Sequence, residues 1–222
     1  MNKKTDLMVL STNVVVLARF HNPSVLNPDF LRNNKIINKS WKETEVVTTQ
    51  AFSQIKFQDK GVTIQAVPEQ LQIKHEVLGD FPEKTPACNI TKQYLRNLKH
   101  VNYTSVGLNW SAAFPKSGAE EWLVNRFIKS SKWAIKGESS LAGANITLKF
   151  KKDEVVYSFT LSSKIDLKIS DKEPFEAVMI DVNAHHPGPY NMKEIVKVID
   201  GWKEAQTFAQ EQVERLLKGR VG

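Results

Sequence analysis

The clearest secondary-structure pattern in this sequence lies in residues 146–161, which read ITLKFKKDEVVYSFTL. Ile146, Leu148 and Phe150 alternate with polar residues, and a second alternating run continues to Leu161. Successive side chains point to opposite faces of a strand, so this period of two predicts two strands that are each buried on one face. Lys152-Asp153 separates the runs and supplies the turn. We therefore expect a β-hairpin here.

The elements around this hairpin are predicted from similar signals. A strand with its inward face at Val106, Leu108, Trp110 and Ala112 ends at Pro115. Ser117 and Glu120 have the spacing of a capping box, which predicts a helix through Phe127 and Ile128. A last strand is expected over residues 175–184.

A long amphipathic helix is predicted at the end of the sequence. Asn191 and Glu194 form its capping box, and Gly219 is a natural stop. Gly201, in its interior, costs about 1 kcal/mol relative to alanine, which favours a tightly packed site there. The apolar stripe has the period of an α-helix and comprises Ile195, Ile199, Trp202, Ala205, Ala209, Val213 and Leu216.

Residues 1–80 show the same order of elements as the second half. A strand at Val14–Phe20 is closed by Pro23, and a helix starts at Asn27, whose side chain can cap the helix, with Pro28 in the first position. Three alternating runs follow, at residues 53–57, 62–66 and 71–77. They predict three strands in a meander.

These elements place the chain in the α+β class. We expect two similar β-α-β-β-β halves, residues 1–80 and 91–222, joined by a linker at 81–90 and able to form one compact domain. Their strands should form one or two mainly antiparallel sheets with the helices on one face, followed by the long C-terminal helix. The repeated order suggests an internal duplication, although no repeated motif aligns residue by residue.

Composition excludes several classes of protein. Of the 222 residues, 41% are hydrophobic and 25% charged, which is typical of a globular protein and not of a disordered one. No apolar run is long enough for a transmembrane helix. The beginning of the chain is interpreted as a strand and not as a leader peptide, because Asp6 and polar residues 11–13 interrupt the apolar run. The single cysteine, Cys88, fits a reducing compartment, so we expect a cytoplasmic protein that does not bind a membrane.

The positive charge is concentrated in residues 84–136, which we call the basic segment. It holds nine Lys and Arg residues and two Glu residues, a difference equal to the whole net charge of +7. A cationic surface next to aromatic side chains suits contact with phosphates and bases. The candidate partner-binding residues are Lys116, Arg126, Lys129, Lys132, Trp133 and Lys136. Against this hypothesis, cations also stabilise helix C-termini and are common on solvated surfaces.

A second candidate site is the strand that carries Asp181, Asn183 and His185. Alternation places these three polar side chains on one face, where they could bind a divalent metal ion. The alternative interpretation is a polar strand end that caps the following loop. No glycine-rich phosphate loop, nucleophile elbow or zinc-finger spacing is present, and Cys88 has no neighbouring histidine.

We therefore expect a non-catalytic binding protein without a cofactor, a subunit of a larger assembly, that contacts nucleic acid or an acidic protein surface through the basic segment. The first alternative is a metal-assisted hydrolase centred on residues 181–186. A second alternative is a purely structural subunit of a homo-oligomer.

Overall fold

A computed structural model of the chain describes residues 6–128, 141–169, 173–188 and 191–218. Nine strands and five α-helices lie within these ranges. Short 3₁₀ turns occupy Pro23–Val25 and Gln58–Lys60. The strands are β1 (Met8–Arg19), β2 (Glu45–Thr48), β3 (Ser53–Phe57), β4 (Val62–Val67), β5 (Gln70–Gly79), β6 (Asn102–Pro115), β7 (Ile146–Lys152), β8 (Val155–Leu167) and β9 (Phe175–Pro187). The helices are α1 (Pro28–Asn33), α2 (Pro86–Asn97), α3 (Ala119–Phe127), α4 (Met192–Asp200) and α5 (Trp202–Lys218).

All nine strands belong to one antiparallel sheet with the order β2-β3-β4-β5-β1-β6-β9-β8-β7. The two long strands β1 and β6 are neighbours at its centre, with Val14 opposite Leu108. Strands from both sides of residues 81–90 therefore share a single sheet. The α+β class and the antiparallel sheet are confirmed.

One face of the sheet carries the core. Strand side chains such as Val14, Leu108 and Val182 form a single buried cluster with helix residues that include Ile199 and Ala209. This cluster contains residues of all five helices, because each helix turns an apolar stripe towards the same sheet face. Trp110 of β6 and Trp202 of α5 meet near its centre, with ring centroids 4.8 Å apart.

The opposite face, which we call the polar face, is lined by the alternate residues of each strand. In the cross-strand register, Asn13 of β1 stands between Lys74 and Asn109, and Asn109 stands next to Asn183. The Asn183 amide donates a hydrogen bond to the Asn109 carbonyl oxygen. Gly107 lies in the next row, where an added Cβ would come within 3.2 Å of the Asn183 amide nitrogen.

Several local predictions are confirmed. The hairpin of residues 146–161 is the pair β7–β8, and the meander is β3–β4–β5. Asn27 caps α1 through a hydrogen bond from the Phe30 amide. Asn191 and Glu194 form the predicted capping box of α4.

Other local predictions are wrong. The helix α3 begins after Gly118, which has a left-handed backbone (φ 63°), and not with a capping box at Ser117. The Gly118 amide donates to the Glu176 carboxylate of β9, and this contact with a distant residue fixes the start of α3. The predicted single C-terminal helix is two helices, α4 and α5, because the chain departs from the helix at Gly201. The predicted stop at Gly219 lies outside the described residues.

The structure also contains elements that the sequence did not predict. Strand β2 extends the first meander to a sheet edge, and α2 begins at Pro86 inside the predicted linker. No helix in the described part of the chain is both long and apolar enough to cross a membrane.

Candidate functional site

The described cations of the basic segment lie around helix α2, on helix α3 and, for Lys116, just after β6. Lys84, Lys92, Arg96 and Lys99 lie on α2 or next to its ends, whereas Arg126 lies on α3. Helix α2 packs against β1, β5 and α4, and α3 packs against β8 and β9. Lys129, Lys132, Trp133 and Lys136 lie outside the described residues.

Helix α2 presents a basic surface, which we call the α2 surface and define by Lys92, Arg96 and Lys99. Its other side is buried through residues such as Ile90, Tyr94 and Leu95. Lys92 and Arg96 are one turn apart and therefore share a helix face, and Lys99 follows just beyond the helix end. Arg96 and Lys99 are exposed. The sequence contains no acidic residue between Lys84 and Glu120, so this surface is cationic without local compensation from the segment itself.

Arg126 and Lys116, the two candidate partner-binding residues that the structure describes, both make contacts within the fold. The Arg126 Nε atom donates a 2.7 Å hydrogen bond to the Leu216 carbonyl of α5. Its guanidinium also lies 5.1 Å from the Trp122 ring centroid, and burial lowers the pKa of Arg126. Lys116 continues the β6–β9 ladder through a 2.9 Å bond from its amide to the Glu176 carbonyl. Arg126 thus joins α3 to α5.

A cleft opens at the N-terminal end of α2, where the helix meets the junction of α4 and α5. Its volume is about 740 Å³. We call it the α2 cleft. Its lining residues come from the loop before α2, the first turns of α2 and the α4–α5 junction: Glu83, Lys84, Thr85, Pro86, Cys88, Asn89, Lys92, Ile199, Asp200, Trp202 and Lys203.

The cleft is held together by polar contacts between elements distant in sequence. Lys92 Nζ lies 2.5 Å from Asp200 Oδ1 and ties α2 to the end of α4. Thr85, the N-cap of α2, accepts a hydrogen bond from the Ala87 amide, and its hydroxyl is 2.9 Å from the Thr12 hydroxyl of β1. The Thr85 hydroxyl also lies 3.4 Å from His75 Nδ1 of β5. The start of α2 is therefore anchored to the central strands.

Cys88 lines this cleft but is not an activated nucleophile. Burial raises the pKa of its thiol to about 12, and the nearby Lys92 lowers it only in part. The thiolate is the reactive form of cysteine, so this thiol is nearly inert at neutral pH. The side chain is half-buried.

A second cleft, the His186 cleft, lies between the ends of β8 and β9 and helices α4 and α5, with a volume of about 380 Å³. His186 Nε2 is buried and has no hydrogen-bond partner among the described residues. Burial, together with the neighbouring His185, lowers the pKa of His186 to about 4. The ring is therefore neutral at physiological pH. The other ionisable groups that line this cleft are Lys152, Asp153, Tyr157, Glu194, Lys197 and Glu204.

The proposed metal ligands Asp181, Asn183 and His185 do share one face of β9, the polar face, as alternation predicts. They do not converge, because a strand rises by about 3.3 Å per residue and so separates Asp181 from His185 by roughly 13 Å. The Asp181 carboxylate accepts a hydrogen bond from the Ser111 hydroxyl, and Asn183 bonds Asn109. The described residues contain no group of three or more His, Cys, Asp or Glu side chains that could hold a metal ion.

Sequence reasoning did not find either cleft. The residues that close the α2 cleft, Asp200, Trp202 and Lys203, are far from Lys84 in sequence. One usable signal was present: residues 87, 90, 91, 94, 95 and 98 carry the buried stripe of α2 at helical spacing.

These observations define the chain as an α+β protein with an antiparallel sheet of nine described strands, a polar face and, on the helix side, the α2 cleft and the His186 cleft. Comparison with protein-family models, curated proteins and solved structures found no match to this chain.

Proposed function

We propose that the chain is a non-catalytic binding protein, a subunit of a larger assembly, that contacts nucleic acid through the basic segment. The observation that carries this proposal is the concentration of charge: nine cations and two anions lie in residues 84–136. Nucleic-acid backbones attract such a surface because binding releases condensed counterions. The sequence lacks the catalytic motifs that would favour an enzyme.

The composition of the α2 surface favours nucleic acid over an acidic protein. Lys92 and Arg96 are about 6 Å apart along the helix axis at 1.5 Å per residue, and Lys99 follows just beyond the helix end. The amide side chains of Asn89, Gln93 and Asn97 lie between or beside them. Amide groups donate to phosphate and sugar oxygens, and interleaved cations and amides are the usual set of backbone contacts.

The test is the salt dependence of binding. Fluorescence anisotropy with labelled 20-nucleotide single strands and duplexes between 50 and 300 mM salt gives the slope of log K against log salt. We expect each neutralised phosphate contact to contribute about −0.7 for single strands and about −0.9 for duplexes. Arg96→Met with Lys99→Met should therefore make the slope shallower by roughly 1.4 to 1.8. Lys129→Met, Lys132→Met and Lys136→Met test the part of the segment outside the described residues.

A matched control keeps the experiment specific. Lys149 and Lys151 lie on β7, on the polar face, and their replacement by methionine removes the same charge elsewhere. Binding that is absent at 50 mM salt, or equally weakened by this control, would overturn the proposal. Salt-dependent binding of polyglutamate without any binding of nucleic acid would assign the surface to an acidic protein instead.

We also infer an internal duplication behind this architecture. The supporting observation is the strand order on each side of the central pair: β1 is followed outwards by β5, β4 and β3, and β6 is followed by β9, β8 and β7. The division into residues 1–80 and 91–222 and a cytoplasmic location, favoured by the single Cys88, belong to the same proposal.

A further inference from the structure

We propose that the α2 cleft is a binding site for a small organic anion, one that combines a flat apolar body with a phosphate, sulfonate or carboxylate group. The cleft shares Lys84 and Lys92 with the basic segment, whereas Arg96 and Lys99, the residues substituted in the nucleic-acid test, lie outside it. Two features of the cleft support this assignment, its apolar floor and its cationic rim.

The floor is apolar and belongs to the rigid core. Ile199 and Trp202 are 1% and 4% exposed, and Pro86 and Cys88 continue the surface from α2. The Trp202 ring is fixed by its contact with Trp110. Ligand sites are typically clefts of about 300–1,000 Å³ with mainly apolar walls and a few polar groups. The α2 cleft, at about 740 Å³, has the size for one nucleotide-sized molecule.

The rim selects for negative charge. Three lysines, Lys84, Lys92 and Lys203, line the cleft together with two acids, Glu83 and Asp200. Lys92 already neutralises Asp200 through their ion pair, so the remaining charges are two cations and one anion. The cleft also lies at the positive end of α2, a helix of 12 residues. Lys84 and Lys203 are exposed and can turn towards a ligand.

A matched pair of probes tests the site. The anion is 1-anilinonaphthalene-8-sulfonate, and its uncharged counterpart is N-phenyl-1-naphthylamine. Because Cys88 is the only cysteine in the chain and lines the cleft, its slow alkylation by excess iodoacetamide at pH 9, where a small fraction of the thiolate forms, reports occupancy of this cleft alone. Calorimetry gives the stoichiometry. We expect one site per chain, and slower Cys88 alkylation with the anion than with the neutral probe at equal concentration.

Substitutions on the rim separate this site from other surfaces. Lys84→Met with Lys203→Met should weaken the anion about tenfold and leave the neutral probe unchanged, since only the charge is lost. The control is Lys193→Met, an exposed lysine of α4 that does not line the cleft.

Two results would overturn the proposal. The first is anion binding without protection of Cys88, which would place the probe elsewhere. The second is equal protection by both probes together with no effect of the rim lysines, which would describe an apolar cavity without selectivity for anions. The Lys84→Met, Lys203→Met double variant and the Lys193→Met control replace only exposed lysines, so loss of the fold does not confuse their comparison. Failure of nucleic-acid binding leaves this experiment unaffected.

Discussion

The neutral, half-buried His186 makes the stability of the protein depend on pH. Its pKa falls from 6.5 to about 4 on folding because the ring is removed from water next to His185. Above pH 6.5 the ring is neutral in both the folded and the unfolded chain and contributes no pH dependence. Between pH 6.5 and 4 only the unfolded chain takes up the proton, so the free energy of unfolding falls as the pH falls. Below pH 4 the loss is complete.

The size of this effect follows from the two pKa values. One pKa unit corresponds to about 1.4 kcal/mol, so the difference between 6.5 and about 4 sets an upper limit of about 3–4 kcal/mol. The ring is only half-buried, and solvent screening reduces the effect. We therefore expect His186 to account for about 1–2 kcal/mol of acid destabilisation between pH 7 and pH 4.5.

The measurement is a comparison of urea unfolding for the natural chain and His186→Gln at pH 7, 6, 5 and 4.5. Carboxylates also titrate in this range, but they are shared by both proteins and cancel in the difference. Glutamine keeps a polar group and cannot be protonated, so the variant should lose less stability towards acid. His100→Gln, at an exposed histidine, is the control. Parallel curves for the natural chain and His186→Gln would refute the reasoning.

Two further predictions concern the core and a turn. Tyr94→Phe removes the hydroxyl that lies 2.8 Å from His21 Nε2 and leaves that buried ring nitrogen unpaired. We therefore expect the free energy of unfolding, measured in urea, to fall by about 1–3 kcal/mol. An unchanged midpoint would show that the bond contributes nothing. Gly61→Ala places a Cβ at φ +58° and 3.2 Å from the Glu76 carbonyl oxygen, and should cost at least about 1 kcal/mol. Gly79→Ala meets nothing within 4 Å and is the matched control, expected within about 0.5 kcal/mol of the natural chain; equal losses for the two glycines would contradict this account.

Elements with a half-buried periodic pattern could be predicted from the sequence. The β7–β8 hairpin alternates because one face packs on the core, and the caps at Asn27 and Asn191 depend only on neighbouring residues. Strand β2 carries no such pattern, since all four of its residues are exposed. Residues 45–48 form a strand because they pair with the edge of β3. Their own sequence carries no signal of this pairing.

Predictions failed where a distant contact or a local breaker competed with the pattern. The start of α3 depends on Glu176, which lies on another strand. Helix α2 was missed because Gly79, Pro82 and Pro86 favoured a loop, although Pro86 occupies the first turn of a helix, where proline is tolerated.

The candidate site could be predicted only in part. The charge of the basic segment is visible in the sequence, but which lysines face a common cleft depends on the packing of α2 against α4. The alternation in β9 correctly placed Asp181, Asn183 and His185 on one face. It could not show that they lie too far apart to hold one ion.

The pairing of β1 with β6 has a consequence for how the chain folds. Val14 and Leu108 face each other across the middle of the sheet, although nearly half of the sequence separates them. Closing so large a loop costs entropy before the contact is gained, and sheets dominated by such pairings fold in milliseconds to seconds. Until β6 arrives, β1 presents an unpaired apolar edge, the kind of surface that leads to aggregation. During synthesis, the edge of β1 stays unpaired until β6 has emerged from the ribosome at residue 115. We therefore expect molecular chaperones to act on β1.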